Sequence, residues 1–268
     1  MNKIFFTDLD DTLLTSDKRI SKKTLATLKD WLASGNYVAF SSGRPLTSVK
    51  NVIAEYDFDL TNVYAIGFNG SMTMHVATGD IVSQKSLELP LVAKICKLCK
   101  EHDVYAQAYD SESILVPYVG REIEFYTRTV KLPVVELANF PEDITLPPAK
   151  LLCIDVDETG KLDTMKDLLM KTFPDSVTAL KSNTRLLEVF NKSAGKGTAV
   201  RELCQHLNIP ISDSLAAGDQ ENDISMLEAA GLGIAMSNAK DTVKAAADAV
   251  TLEDNNHDGL VKFLLEYM

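Results

Sequence analysis

Strand and helix signals alternate at the start of this chain, stop near residue 83 and resume near residue 185. Lys3 to Thr7 forms a near-continuous apolar run, the pattern of a strand buried on both faces. Ser21 caps an expected helix, SKKTLATLKDWLASG, with Leu25, Leu28, Trp31 and Leu32 on one stripe and Gly35 ending it. A strand at Tyr37 to Phe40, a helix from Leu46 to about Glu55 and a strand at Val63 to Gly67 follow. Parallel strands need long crossovers, so this alternation predicts a doubly wound, Rossmann-like parallel sheet.

The rhythm then breaks. The stretch FNGSMTMHVATGDIVSQ alternates apolar and polar residues, with turn signals at Asn69-Gly70 and Thr78-Gly79-Asp80, and reads as hairpin material. Beyond it the expected elements are a helix (Leu91 to His102), strands (Val104 to Ala108 and Ser113 to Val116), a helix (Arg121 to Thr129), a proline-bearing loop, a strand (Leu151 to Asp155), a helix (Leu162 to Thr172) and a strand (Val177 to Leu180). The first rhythm resumes with a strand at Leu186 to Phe190. It continues through strands at Ser214 to Gly218, Gly233 to Met236 and Ala249 to Thr251, with helices between and after them. The expected fold class is therefore α/β, a parallel core of residues 1–82 and 185–268 interrupted by an α+β module at 83–184.

The formal net charge is −11, which disfavours nucleic acid and anionic membranes as partners. Met1 to Leu9 holds one lysine, a short apolar stretch and acids directly behind it, unlike a secretory signal. No apolar run reaches the roughly 18 residues of a membrane span. A soluble cytoplasmic protein, monomeric or weakly homo-oligomeric, is expected. Cys96 and Cys99 have metal-like spacing, but no second pair exists, so they and Cys153 and Cys204 read as buried or half-buried thiols. The four histidines form no cluster.

Ligands of doubly wound sheets bind at the carboxyl ends of the strands. The polar clusters fall there: DLDDT after the first strand, SSGR after the second, GDQENDISM after the strand at Ser214 to Gly218, and KGTAV opening a helix. Asp8 and Asp10 are two apart at the end of an extended segment, so both carboxylates are expected to aim the same way. Their repulsion, of order 4 kcal/mol at about 4 Å and an effective dielectric of about 20, is offset by a divalent cation or a proton. Asp219 and Asp223 add carboxylates, and an all-oxygen set with room for water suits magnesium. Ser42 and Gly43 offer a hydroxyl and backbone N–H groups at a helix start, an anion site. Lys196, between Gly195 and Gly197, can reach an anion there, with Lys192 a competitor, and Asn222 can donate beside Asp219. AGKGT is not a nucleotide-binding P-loop: Phe190 stands where its first glycine belongs and Gly197 where its hydroxyl belongs.

Asp8-x-Asp10-x-Thr12, Ser42, Lys196 and GDQENDISM resemble, in order, the four motifs of the haloacid dehalogenase superfamily. SSGRP, GKGTAV and GDQENDISMLEAAGLGIAM resemble its Cof-like sugar-phosphate phosphatases, over essentially the whole chain. The resemblance implies Asp8 as nucleophile, taking up the phosphoryl group, and Asp10 as general acid and then base. It implies magnesium held by the Asp8 carboxylate, the Asp10 carbonyl and Asp219, with Asp223 in support. Leu9 N–H, Ser42, Gly43, Lys196 and Asn222 are implied to hold the phosphate of a small metabolite. A like-charged neighbour raises an aspartate's pKa, which favours a protonated Asp10. Ser42 replaces a commoner threonine, and Asp11 a commoner glycine; if that position needs positive φ, aspartate tolerates it better than most residues.

The insertion lies between Ser42 and Lys196, where it resembles a type IIB cap and where substrate choice is expected to reside. Its placement argues against mutases with a helical cap after the first motif, but not against phosphomannomutase-like relatives. Phosphotransfer, a receiver-like signalling module and a sugar-phosphate sensor without turnover remain alternatives. A receiver has no use for so large a cap, and intact Asp8 and Asp10 disfavour a sensor.

Overall fold

The computed structural model describes residues 2–110 and 112–268. In chain order the elements are β1 (Ile4–Asp8), α1 (Lys22–Ala33), β2 (Tyr37–Ser41), α2 (Leu46–Ala54), β3 (Val63–Gly67), β4 (Met72–His75), β5 (Ile81–Gln84), α3 (Leu89–Glu101), β6 (Tyr105–Tyr109), β7 (Ile114–Val116), α4 (Arg121–Tyr126), β8 (Val134–Glu136), β9 (Lys150–Ile154), α5 (Lys161–Thr172), β10 (Val177–Asn183), β11 (Leu186–Asn191), α6 (Lys196–Leu207), β12 (Ser214–Gly218), α7 (Ile224–Ala229), β13 (Leu232–Ala235), α8 (Asp241–Ala246), β14 (Ala249–Val250) and α9 (Val261–Tyr267). They form two compact units, Met1–Ser83 with Gly195–Met268, and Gln84–Ala194.

The first unit is built on a sheet of order β14-β13-β12-β1-β2-β3-β4-β5. β1 sits at its centre, parallel to β2 and β12, and every residue of β1 is buried. That burial is why the strand reads as a continuous apolar run. β4 turns back antiparallel to β3, and β5 follows it, so the hairpin expected here forms. In α1 the cap is Ser21, whose Oγ accepts the Thr24 N–H at 3.1 Å. Its inward stripe carries Thr24, Thr27, Leu28, Trp31 and Leu32, and the Trp31 indole donates to the Tyr37 carbonyl at 2.9 Å, tying α1 to β2.

The second unit has a sheet of order β10-β11-β9-β6-β7-β8, antiparallel except where β7 meets β8. Ala106, Ala108, Leu151, Cys153, Leu187 and Val189 point from one sheet face into a core with Ile95 and Cys99 of α3 and Leu162, Met165 and Leu169 of α5. All four cysteines are free and buried. One strand lies elsewhere than expected. Leu186 to Phe190 belongs to this second sheet, pairing with β9 and β10, not to the first. Its apolar run marks a buried strand but carries no label for the sheet that buries it.

Candidate active site

Three parallel strands, β1, β2 and β12, deliver expected residues to one edge of the first sheet, and β3 ends beside them. Asp8 ends β1 and lies in register with Ser41, the last residue of β2, so Ser42 follows beside it. Thr7 is in register with Ala217, which brings Gly218 and then Asp219 to the same level. After β3 the chain makes a tight turn, Phe68–Gly70, in which Phe68 and Asn69 both have positive φ.

α6 opens against that turn. A Cβ on Gly70 would stand 2.3 Å from the Gly195 carbonyl oxygen, and one on Gly197 would stand 2.1 Å from the Ser225 carbonyl oxygen. Glycine at both places lets the first turn of α6 come in close, carrying Lys196 to the centre of the edge. There the Lys196 ammonium, fully buried, donates to Asp8 Oδ1 and to Asp223 Oδ1, each at 2.5 Å. Burial alone would lower the ammonium's pKa, but the charges of Asp223 and Asp8 outweigh it and hold Lys196 protonated above its ordinary range.

The loop after β12 is braced by its own aspartate. Asp223 Oδ2 accepts the backbone N–H groups of Asp219 and Gln220, each at 3.0 Å. Only glycine fits at position 218, because a Cβ there would lie 2.4 Å from the Asp223 Cβ. Asp219 is oriented by Thr12 Oγ1, which donates to its Oδ1 at 2.7 Å, and by Gln220 Nε2, which donates to its Oδ2 at 2.8 Å. Ligand oxygens of Asp8, Asp219 and Asp223 lie within 4.8 Å of one another. Burial raises the pKa of Asp8 well above the ordinary carboxylate range, against the pull of Lys196 and with the charges of Asp223 and Asp219 adding to it. Burial likewise pushes Asp219 up to about 6, with the Thr12 hydrogen bond opposing and the Asp223 charge adding. Lys196 pairs with two of the three buried carboxylates and Asp219 has only the neutral donors Thr12 and Gln220, so among the described residues the acid group has more negative than positive charge. A divalent cation that prefers oxygen ligands fits that deficit and that donor set.

Asp10 departs from expectation. β1 ends at Asp8, and Asp10 lies in an isolated bridge to Leu14, so the period of two does not continue. Its carboxylate is outside the acid group: Arg44 Nε donates to Oδ2 at 2.9 Å, Arg44 Nη2 to Oδ1 at 2.6 Å and Lys18 Nζ to Oδ1 at 3.0 Å. Burial works to raise its pKa, but Arg44 and Lys18 together outweigh burial and leave it below the ordinary value. The expected upward shift from a like-charged neighbour is thus overturned for Asp10; it is Asp8 whose pKa is raised, chiefly by burial. Asp11 does adopt positive φ, at 58°.

Of the expected phosphate ligands, Leu9 has a buried side chain and its carbonyl accepts from Leu14 N–H at 2.8 Å. Ser42 is buried, and its Oγ accepts the Arg44 N–H at 3.2 Å, with Gly43 in the same turn. Asn222 Nδ2 donates to Asn69 Oδ1 at 3.1 Å. Sequence reasoning gave no role to Thr12, Lys18, Arg44 or Asn69. Thr12 and Arg44 stood inside quoted motifs, whereas Asn69 read as a hairpin turn and Lys18 carried no signal.

A mainly parallel α/β sheet with an acid group and a buried lysine at its carboxyl edge is an arrangement suited to phosphoryl chemistry. The family model for haloacid dehalogenase-like hydrolases matches residues 5–264. The 5-amino-6-(5-phospho-D-ribitylamino)uracil phosphatase YitU of Bacillus subtilis is 30% identical over 270 residues, covering 97% of this chain and 95% of that protein. A haloacid dehalogenase-like hydrolase of Bacteroides thetaiotaomicron superposes with a TM-score of 0.90 at 26% identity, covering 100% of both chains. A subclass IIB sugar phosphatase shares the fold, with a TM-score of 0.81 at 23% identity over 99% of each chain. The chain belongs to the haloacid dehalogenase-like hydrolase family, and within it is a phosphatase. No helix among the described residues is long and apolar enough to cross a membrane.

Proposed function

We propose that this phosphatase hydrolyses small phosphorylated metabolites, sugar phosphates or compounds like them, through a phosphoryl group carried on Asp8. The observation that carries this reading is the Lys196 ammonium bridging Asp8 and Asp223 beside Asp219. The phosphoric ester named for YitU and the sugar phosphatase of the same fold support the substrate class.

Asp8 attacks phosphorus in line with the leaving alcohol. Lys196 favours the ionised form that this requires and faces the incoming phosphate oxygens. Leu9 N–H, Ser42, Gly43 N–H and Asn222 converge on the same phosphate. Arg44 and Lys18 favour the ionised form of Asp10 in the free protein, so in this reading Asp10 takes up a proton as substrate binds, gives it to the departing oxygen, then takes one from the water that attacks the phosphorylated Asp8, returning the free enzyme and inorganic phosphate. The Asp8 carboxylate, the Asp10 carbonyl and Asp219, with Asp223 in support, would hold magnesium, which would offset the repulsion between carboxylate and phosphate dianion.

The test is turnover of the purified protein on a panel of phosphorylated sugars, nucleotides and cofactors, with magnesium and with chelator. Phosphate release from several small esters, lost in Asp8→Asn and lost with chelator, is expected. Full activity in a contamination-checked Asp8→Asn sample removes Asp8 as nucleophile, and full activity after chelation removes the metal.

A further inference from the structure

Three stretches of chain meet around Asp219 in a closed ring of hydrogen bonds. The Thr12 hydroxyl donates to Asp219 Oδ1 at 2.7 Å. One residue before Thr12, the Asp11 carbonyl accepts Asn238 Nδ2 at 2.8 Å. Two residues after Asn238, the Lys240 N–H donates to the Asp219 carbonyl at 3.3 Å and closes the ring. The loop that supplies Asn238 and Lys240 is seated on the end of β12, where the Met236 N–H donates to the Gly218 carbonyl at 3.0 Å.

Both ends of the Asn238 amide serve the turn after Asp10. Its Oδ1 accepts the Asn255 N–H at 3.4 Å, and Asn255 Nδ2 donates to the Leu14 carbonyl at 2.8 Å. The turn depends on such anchors. β1 has already ended at Asp8, and Asp11 is held at a φ of 58°, in the left-handed region that few residues with a side chain adopt. The Asp10 carboxylate is drawn away to Arg44 and Lys18, so the share of Asp10 in a cation falls to its backbone carbonyl. The next carbonyl along the chain is the one that Asn238 holds.

We propose that Asn238 is a positioning residue for the cation: by holding the Asp11 carbonyl it fixes the turn carrying the Asp10 carbonyl relative to Asp219, and so sets the affinity for magnesium. This rests on the reading that the Asp10 carbonyl and Asp219 are magnesium ligands. Groups behind metal ligands orient them, and their loss typically weakens the metal about 10- to 100-fold. Asn238 is exposed, so its removal should touch metal binding far more than folding.

The test is calorimetric titration of the metal-free protein with magnesium chloride. Asn238→Ala is expected to weaken magnesium about 10-fold, while the melting midpoint of the metal-free protein stays within about 3 °C of the parent. Turnover should fall at low magnesium and recover as magnesium is raised, the mark of a weakened metal site with its chemistry intact. Asn256→Ala serves as the comparison. Asn256 Oδ1 accepts the Ser16 N–H at 2.9 Å, farther along the same turn, and its loss should leave the affinity unchanged. Parental affinity in Asn238→Ala overturns the proposal. So does an equal loss in Asn256→Ala, because the turn would then loosen as a whole. Asp219→Asn tests the reading beneath: if it binds magnesium as the parent does, the metal lies elsewhere and that reading fails, whatever Asn238→Ala does.

Discussion

Lys196 donates from Nζ to Oδ1 of Asp8 at 2.5 Å across 188 residues of sequence. The partners are far apart in the chain and meet because β1 is central and α6 is drawn in against a glycine turn. Both are buried, so neither charge tolerates loss of the other.

Lys196→Met leaves the Asp8 and Asp223 carboxylates without their cation. Breaking a buried ion pair from one side typically costs about 3–5 kcal/mol. Denaturant unfolding of the metal-free protein should show a loss of that size, accompanied by loss of turnover. An unchanged midpoint would mean that the ammonium does not balance the acid group.

Gly70→Ala tests how Lys196 is placed. The added methyl would meet the Gly195 carbonyl oxygen at 2.3 Å, at a φ of +90° that alanine rarely adopts. A destabilisation of about 1–3 kcal/mol is expected from the overpacking alone. Turnover should fall with it, because α6 must shift to make room. A fully active Gly70→Ala enzyme would show that α6 moves without disturbing Lys196.

Asp219 makes the metal-free protein sensitive to pH in a fixed direction. Its pKa rises from 3.8 to about 6 on folding, so between those values the folded state binds the extra proton. Stability then falls as pH rises through that window, and the loss is complete above about pH 6. Thermal melts of the metal-free protein should show this slope reduced in Asp219→Asn. Added magnesium should raise the stability of the parent protein at neutral pH by about 2.7 kcal/mol at 100 times Kd, and far less in Asp219→Asn. Equal stabilisation of both would place the metal elsewhere.

Asp10→Asn separates the two half-reactions. An activated ester such as nitrophenyl phosphate needs little protonation, so its first half-reaction should remain fast while water attack slows by about 10² to 10⁴. Rapid quench should show a product burst followed by a slow steady state. A hexose phosphate should show little burst. Equal slowing of the first half-reaction for both esters would deny Asp10 the role of acid.

The strand ends that carry Asp8, Ser42 and Asp219 were legible in the sequence, because buried parallel strands write continuous apolar runs and the polar residues that follow them share an edge. Lys196 was legible as a helix-start cation between two glycines. The sheet that receives Leu186 to Phe190 was not, since burial leaves the same pattern in either sheet. Nor was the direction of the Asp10 side chain: it depends on where β1 stops and on Lys18 and Arg44, whose approach is set by turns. Asn69 passed as a hairpin residue because Asn-Gly is the usual hairpin signal, while here the pair builds the seat for α6.

The central position of β1 has a consequence for synthesis. Its neighbour β2 leaves the ribosome almost at once, but β12 is made only after the whole second unit, so β1 waits with one side unpaired. Any product truncated before α6 contains Asp8 and Asp10 but neither Lys196 nor Asp219. A half-made chain therefore lacks the lysine and two of the three aspartates of the acid group, which arrive only with about the last quarter of translation.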